Sequence, residues 1–192
     1  MVTGLTLLHT SPVHVPVFDA LRDRHHPGAV LRHLVAPELL DRARAEGPGA
    51  VLCTCSTLGG VAEALAPELG VPVLRVDRPM CAEAVRLGPR IAVLAAVGST
   101  LGPTTALIEE EAGAAPVRVR ARVVDGAWER FEAGDTGGYL ARVAAAADAV
   151  TGADVIVLAQ ASMADADALV RTAVPVLTSP ARGLAAALAR QA

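Results

Sequence analysis

Three observations predict an α/β fold carried on parallel sheets. Short continuous apolar runs alternate with longer Ala-rich stretches of helical period. The runs are apolar throughout rather than every second residue, as expected of strands covered on both faces. The block Ala50–Leu58 (AVLCTCSTL), followed by a helix and then VPVL, is echoed by Val155–Met163 (VIVLAQASM), again followed by a helix and VPVL. An echo of this kind implies two related halves.

In the first half, Thr3–Leu8 reads as a strand that opens into the loop His9-Thr10-Ser11-Pro12. Pro16–Asp23 reads as a helix and Val30–Val35 as a second strand. Pro37–Glu46 is a helix with proline near its start, where the missing N–H costs nothing. Ala50–Thr54 is a strand, and Thr57–Leu69 a helix closed by Gly70. Val73–Val76 is strand, Pro79–Leu87 helix, Ile91–Val97 strand and Pro103–Ala112 helix.

The second half repeats the rhythm. Val117–Val124 is a strand whose alternating Arg118, Arg120 and Arg122 imply one wet face or a sheet edge. Gly134–Gly138 reads as a flexible junction, Tyr139–Val150 as a helix and Val155–Leu158 as a strand. Asp165–Thr172 is a helix, Val174–Leu177 a strand and Leu184–Arg190 the closing helix. The expected domains are 1–96 with 179–192, and 97–178.

Composition narrows the chemistry. Of 192 residues 53% are hydrophobic, yet only two Phe, one Trp and one Tyr occur, so the core is Ala, Val and Leu. Seventeen basic and twenty acidic residues leave a net charge of -3. That balance argues against nucleic acid and against a membrane surface as partners. All the basic residues are Arg. Without lysine there is no Schiff-base chemistry and no Walker-type phosphate loop. Without Asn there is no N-glycosylation acceptor. Cys53, Cys55 and Cys81 do not make an even disulfide framework. No run reaches the roughly 18 apolar residues of a membrane span, and the first residues show no basic leader. A cytoplasmic setting is the expectation.

Ligands of open α/β sheets bind beyond the carboxyl ends of the strands. The residues expected there are His9, Thr10 and Ser11; Cys55, Ser56 and Thr57; Asp77; Ser99 and Thr100; and Gln160, Ala161 and Ser162. Hydroxyls and helix-start amides together suit a carboxylate. Cys55 stands where strand gives way to helix, a position that favours a thiolate. Cys53 lies deeper on the same strand and reads as core, as does Cys81. His9, in the first strand-end loop, could shuttle protons near neutral pH. No zinc-type spacing, dinucleotide fingerprint or nucleophile elbow is present.

The order strand-Cys55-Ser56-Thr57-helix, with a matching Leu158-Ala159-Gln160-Ala161-Ser162 motif in the second half, resembles the aspartate/glutamate racemase superfamily. That group includes glutamate, aspartate and hydantoin racemases, maleate isomerase and arylmalonate decarboxylase. The resemblance runs from Leu7-Leu8-His9-Thr10 to Leu177-Thr178-Ser179-Pro180. It implies two similar Rossmann-like α/β domains with parallel sheets, pseudo-twofold related, with the active site in the cleft between them. It also implies catalysis without a cofactor. Cys55 takes the position of the first catalytic thiol, and Ser56 and Thr57 become donors to the substrate carboxylate. Ser11, Ser99 and Thr100 lie on substrate-binding loops. Gln160 falls where the racemases keep a second thiol, and an amide exchanges no proton at accessible pH.

These readings lead to a cofactor-independent isomerase or lyase that acts at the carbon next to a carboxylate of a small organic or amino acid, with Cys55 as its single acid/base or nucleophile. The alternatives are a racemase pairing Cys55 with a non-thiol base such as His9 or Ser162, and a non-catalytic sensor of small carboxylates. Exposed Ala/Leu helix faces would allow a homodimer.

Overall fold

The computed structural model describes residues 4–9, 12–35 and 49–190. The first described elements are β1 (Leu5–His9), a 3-10 turn (Pro12–His14), α1 (Val15–His25), β2 (Leu31–Val35) and β3 (Ala50–Cys53). Then come α2 (Gly59–Ala64), α3 (Ala66–Leu69), β4 (Val73–Arg75), α4 (Arg78–Leu87) and β5 (Arg90–Ala95). A second 3-10 turn (Gly98–Thr100), α5 (Leu101–Ala112), β6 (Arg118–Val123), α6 (Ala127–Glu132) and α7 (Thr136–Asp148) follow. β7 (Val155–Leu158), a long 3-10 segment (Ala161–Leu169), β8 (Val176–Thr178) and α8 (Pro180–Leu188) complete the series.

The chain divides into two compact units, Met1–Pro79 with Pro180–Ala192, and Met80–Ser179. Each holds a four-stranded sheet. The orders are β2-β1-β3-β4 and β6-β5-β7-β8, and every pairing is parallel. The α/β fold and its two similar halves are therefore as expected.

Both faces of each sheet are covered, which is why β1, β3 and β7 are buried along their whole length. In the first unit Leu5, Leu7 and Leu52 pack with Phe18 of α1 and with Leu184 and Ala187 of α8. Leu8, Val51 and Cys53 point the other way, against Ala62 of α2. In the second unit Ile91, Val93 and Val157 pack with Met80 and Ala84 of α4 and with Leu107 and Ile108 of α5. Ala92, Leu94 and Ile156 pack on the opposite side with Tyr139 and Val143 of α7.

Several boundaries differ from expectation. The units divide at 79/80 and 179/180 rather than at 96/97 and 178/179. The reason is pairing: β5 lies between β6 and β7, so residues 90–95 belong to the second unit. The expected helix Thr57–Leu69 is broken at Leu65, because Pro67 has no N–H to give the carbonyl of Glu63. Gly70 ends the second piece with φ 68°, a left-handed conformation that glycine adopts without penalty. Gly137 and Gly138 are not a junction but the first turn of α7, where the Asp135 carboxylate accepts from the Gly138 amide at 2.9 Å. Helix α6, with Trp128 stacked on Phe131, has no counterpart in the sequence reading. The expected helix Asp165–Thr172 is a 3-10 segment ending at Leu169, since Asp148 accepts from the amides of Arg171 and Thr172. The expected helix Pro37–Glu46 lies outside the described residues.

Candidate functional site

In both sheets the chain leaves the first strand in one direction and returns to pair on its other side, between β1 and β3 and between β5 and β7. At such a switch point the loops diverge and open a crevice at the strand carboxyl ends. The echo seen in sequence holds residue by residue there. Leu8 pairs with Cys53 and Leu94 with Leu158. The amide of Thr54 then donates to the carbonyl of Leu8 at 3.0 Å, as that of Ala159 donates to Leu94 at 2.9 Å. Cys55 and Gln160 are thus equivalent, each two residues past the end of its strand.

Cys55 is half-buried, its side chain against the cluster of Leu8, Val51 and Ala62. Helix α2 starts at Gly59 instead of Thr57, so Cys55 stands outside the first helical turn, where a helix dipole acts. The expected activation by first-turn amides does not apply. Cys53 is 3% exposed, its thiol donates to the Cys55 carbonyl at 3.6 Å, and burial pushes its pKa up to about 12. Cys81 is fully buried in the second unit's core. Both are structural, as expected.

The Cys55-Ser56-Thr57 segment is held from below by charges that the sequence reading did not connect. Arg75, 5% exposed, makes a two-pronged pair with fully buried Asp77 at 2.7 and 2.8 Å. The same guanidinium donates to the Ser56 carbonyl at 3.2 Å. Glu63 of α2 accepts from Arg78 at 2.9 and 2.6 Å and from the Arg75 amide at 3.3 Å. A Cβ on Gly59 would stand 2.8 Å from the Arg75 side chain, so the glycine after the Cys55 turn makes room for this pair. Asp77 is committed to Arg75 and is no substrate-binding candidate. Ser56 is buried and Thr57 exposed.

His9 departs from its expected role. It is the last residue of β1, 0% exposed. Its Nδ1 lies 2.8 Å from Thr54 Oγ1, and that hydroxyl donates to the Leu8 carbonyl, so Nδ1–H is the donor. Nε2 lies 2.8 Å from His33 Nδ1. Burial first, then the neighbouring His33 and His14, push its pKa down to about 3. His9 is a neutral staple across the first switch point. It is neither a proton shuttle near neutral pH nor the second base of a racemase.

The second switch point is stapled by Gln160. Its Oε1 accepts from the amides of Ala96 at 2.6 Å and Val97 at 3.2 Å. With the carbonyl end claimed by two donors, the half-buried side chain has only its NH2 donors left to give. Ser162, also half-buried, shares a 2.9 Å hydrogen bond with the hydroxyl of Tyr139, whose pKa burial raises to about 12. Ala161 is buried, Ser99 exposed, and Thr100 4% exposed at the start of α5. Ser11 and Thr10 lie outside the described residues.

The structure thus gathers His9 and Cys55–Thr57 at the first unit's switch point. At the second unit's it gathers Ser99, Thr100 and Gln160–Ser162. Sequence reasoning missed Thr54, Arg75, Glu63 and Tyr139. The cue for Tyr139 was its being the lone tyrosine of the chain. Among the described residues no cluster of three or more His, Cys, Asp or Glu could hold a metal ion. No helix among them is long and apolar enough to cross a membrane.

Repeated four-stranded parallel units, with a thiol at one switch point and hydroxyls at both, define a class of two-unit α/β proteins. The family model for Asp/Glu/Hydantoin racemase matches residues 9–187, and the chain belongs to that family. Glutamate racemase from Francisella tularensis, solved with D-glutamate, has a similar fold: TM-score 0.73, 10% identity, 98% of this chain and 80% of that one. Arylmalonate decarboxylase gives TM-score 0.65 at 18% identity, over 98% and 92% of the two chains. Allantoin racemase from Klebsiella pneumoniae gives 0.67 at 16%, over 97% and 86%. No curated protein sequence matches the chain.

Proposed function

We propose that the protein is a cofactor-independent enzyme acting at the carbon next to a carboxylate of a small organic or amino acid, with Cys55 as its single working thiol. The observation that carries this reading is Gln160. It occupies the position equivalent to Cys55, its carbonyl oxygen is already bound by two backbone amides, and only hydrogen-bond donors remain. A donor holds a carboxylate or stabilises developing negative charge, but it cannot abstract a proton. Racemisation by two thiols is therefore disfavoured, and His9, buried and neutral, is poorly suited to replace the second.

A one-faced reaction suits a single thiol. If the substrate is a malonate, the bond to one carboxylate breaks, carbon dioxide leaves, and the electron pair stays on the α-carbon, spread over the remaining carboxylate. Cys55 S–H gives its proton to that carbon, and water returns a proton to the thiolate. Thr57 and Ser56, next to Cys55 at the same strand end, serve as donors to the charge that develops. The three free thiols fit a reducing, cytoplasmic compartment.

The test is a panel of substituted malonates, allantoin and glutamate in deuterated water. Turnover giving one labelled enantiomer, lost in Cys55→Ser with folding retained, supports the reading. Turnover surviving in Cys55→Ser, or label entering both enantiomers, overturns it. Strong thermal stabilisation by a carboxylate that is never converted would favour a binding protein instead.

A further inference from the structure

We propose that the second unit carries a separate binding site for a small polyanion on the outer edge of its sheet. β6 is an edge strand, and its register sets Arg118 beside Arg90, Arg120 beside Ala92 and Arg122 beside Leu94. Ala92 and Leu94 belong to the core beneath α7, whereas Val119 packs on the opposite cluster. The three β6 arginines therefore share the α7 side of the sheet, a face that is apolar on the inner strands. Helix α7 ends at Asp148, and the turn 149–153 leaves a cavity of about 230 Å³ over this corner. Arg90, Arg118, Arg120 and Arg122 line it, with Leu94 and Val150 among its apolar walls.

The charges there are not balanced internally. Asp154 pairs with Arg90. Arg122 donates to the Ala146 carbonyl at 2.6 Å, which complements the negative end of the α7 dipole. Neither Arg118 nor Arg120 has an ion-pair partner among the described residues. Charges on an edge strand also discourage edge-to-edge pairing, but that role needs no concavity and would be met by any charged residue pointing outward. Here four arginines line one hollow, Arg118 and Arg120 without an ion-pair partner among the described residues, and a guanidinium fork matches the paired oxygens of phosphate or carboxylate. One carboxylate satisfies one fork, so the complement is a ligand with two or more anionic groups. The volume falls below the roughly 300 Å³ at which drug-sized pockets begin. A ligand of pyrophosphate or small polycarboxylate size fits. The site lies along the edge of the sheet and over the turn that leads into the amino end of β7.

Calorimetric titration of the full-length protein with pyrophosphate, orthophosphate, citrate and chloride at fixed ionic strength tests this. Pyrophosphate or citrate should bind with one-to-one stoichiometry and more tightly than orthophosphate, and the tighter of the two names the anion class. Each lost arginine should weaken binding about tenfold or more, so Arg118→Gln/Arg120→Gln should lose about a hundredfold. Arg120→Lys should recover little of this, because lysine keeps the charge but not the fork. Both arginines are exposed, and the urea midpoint and the alkylation rate of Cys55 should not change. No heat with either polyanion, equal affinity in the double variant, or the same weak response to every anion, chloride included, overturns the proposal.

Discussion

Acidification should destabilise the first unit through His9, and the structure sets both the sign and the size of the effect. With Nδ1–H given to Thr54 and Nε2 facing His33, a second proton on His9 would enter a site that is 0% exposed and set its N–H toward another imidazole. The folded-state pKa is about 3 against 6.5 for the free side chain. Between those values the unfolded chain binds a proton that the native chain refuses. Stability is therefore fully present above about pH 6.5 and lost as pH falls toward 3. One group contributes at most about 1.4 kcal/mol per pH unit, so lowering the pH from about 6.5 to 4.5 should cost roughly 2–3 kcal/mol. His14, whose pKa is also lowered by burial, adds in the same direction. Urea unfolding across this pH range, followed by circular dichroism, measures the slope directly. His9→Gln keeps hydrogen-bonding capacity but cannot titrate, so its slope should be shallower by His9's share. An unchanged slope in His9→Gln would refute the reasoning.

Three further outcomes follow from close contacts. Gly183→Ala should lower stability by about 1–3 kcal/mol, because the added Cβ would lie 2.5 Å from the Val76 carbonyl oxygen and 2.6 Å from its Cγ2; calorimetric melting checks it. Arg75→Met strands the buried Asp77 carboxylate and should cost about 3–5 kcal/mol in urea unfolding, and Arg75→Lys should not restore the two-pronged pair. The same variants should alter the alkylation rate of Cys55, since the Ser56 carbonyl loses its donor. Gln160→Glu keeps an acceptor for the amides of Ala96 and Val97 but removes the NH2 donors. Its melting temperature should hold while kcat/KM falls about tenfold or more.

Much of this architecture was legible in the chain because its cause is local. Strands buried on both faces must be apolar throughout, so the runs at Ala50–Cys53 and Val155–Leu158 announce parallel sheets. The AVLCTCSTL echo survives as an identical register, which places Cys55 and Gln160 at equivalent strand ends. The Arg118-Arg120-Arg122 alternation implied a wet face or an edge, and the strand is an edge. What the sequence could not decide depends on residues brought together from far along the chain. Asp148 ends the 3-10 segment at Leu169 from an adjoining helix, and β5 enters the second unit only through its pairings. Periodicity gives no hint of that neighbour. His9 reads as a titrating loop residue until Thr54 and His33 close around it, and Gln160 reads as a mere missing thiol until Ala96 and Val97 take its oxygen. Side-chain identity determined which groups stand at the strand ends. Their protonation and orientation were decided by tertiary structure, because desolvation and hydrogen-bond direction are properties of surroundings and not of residues.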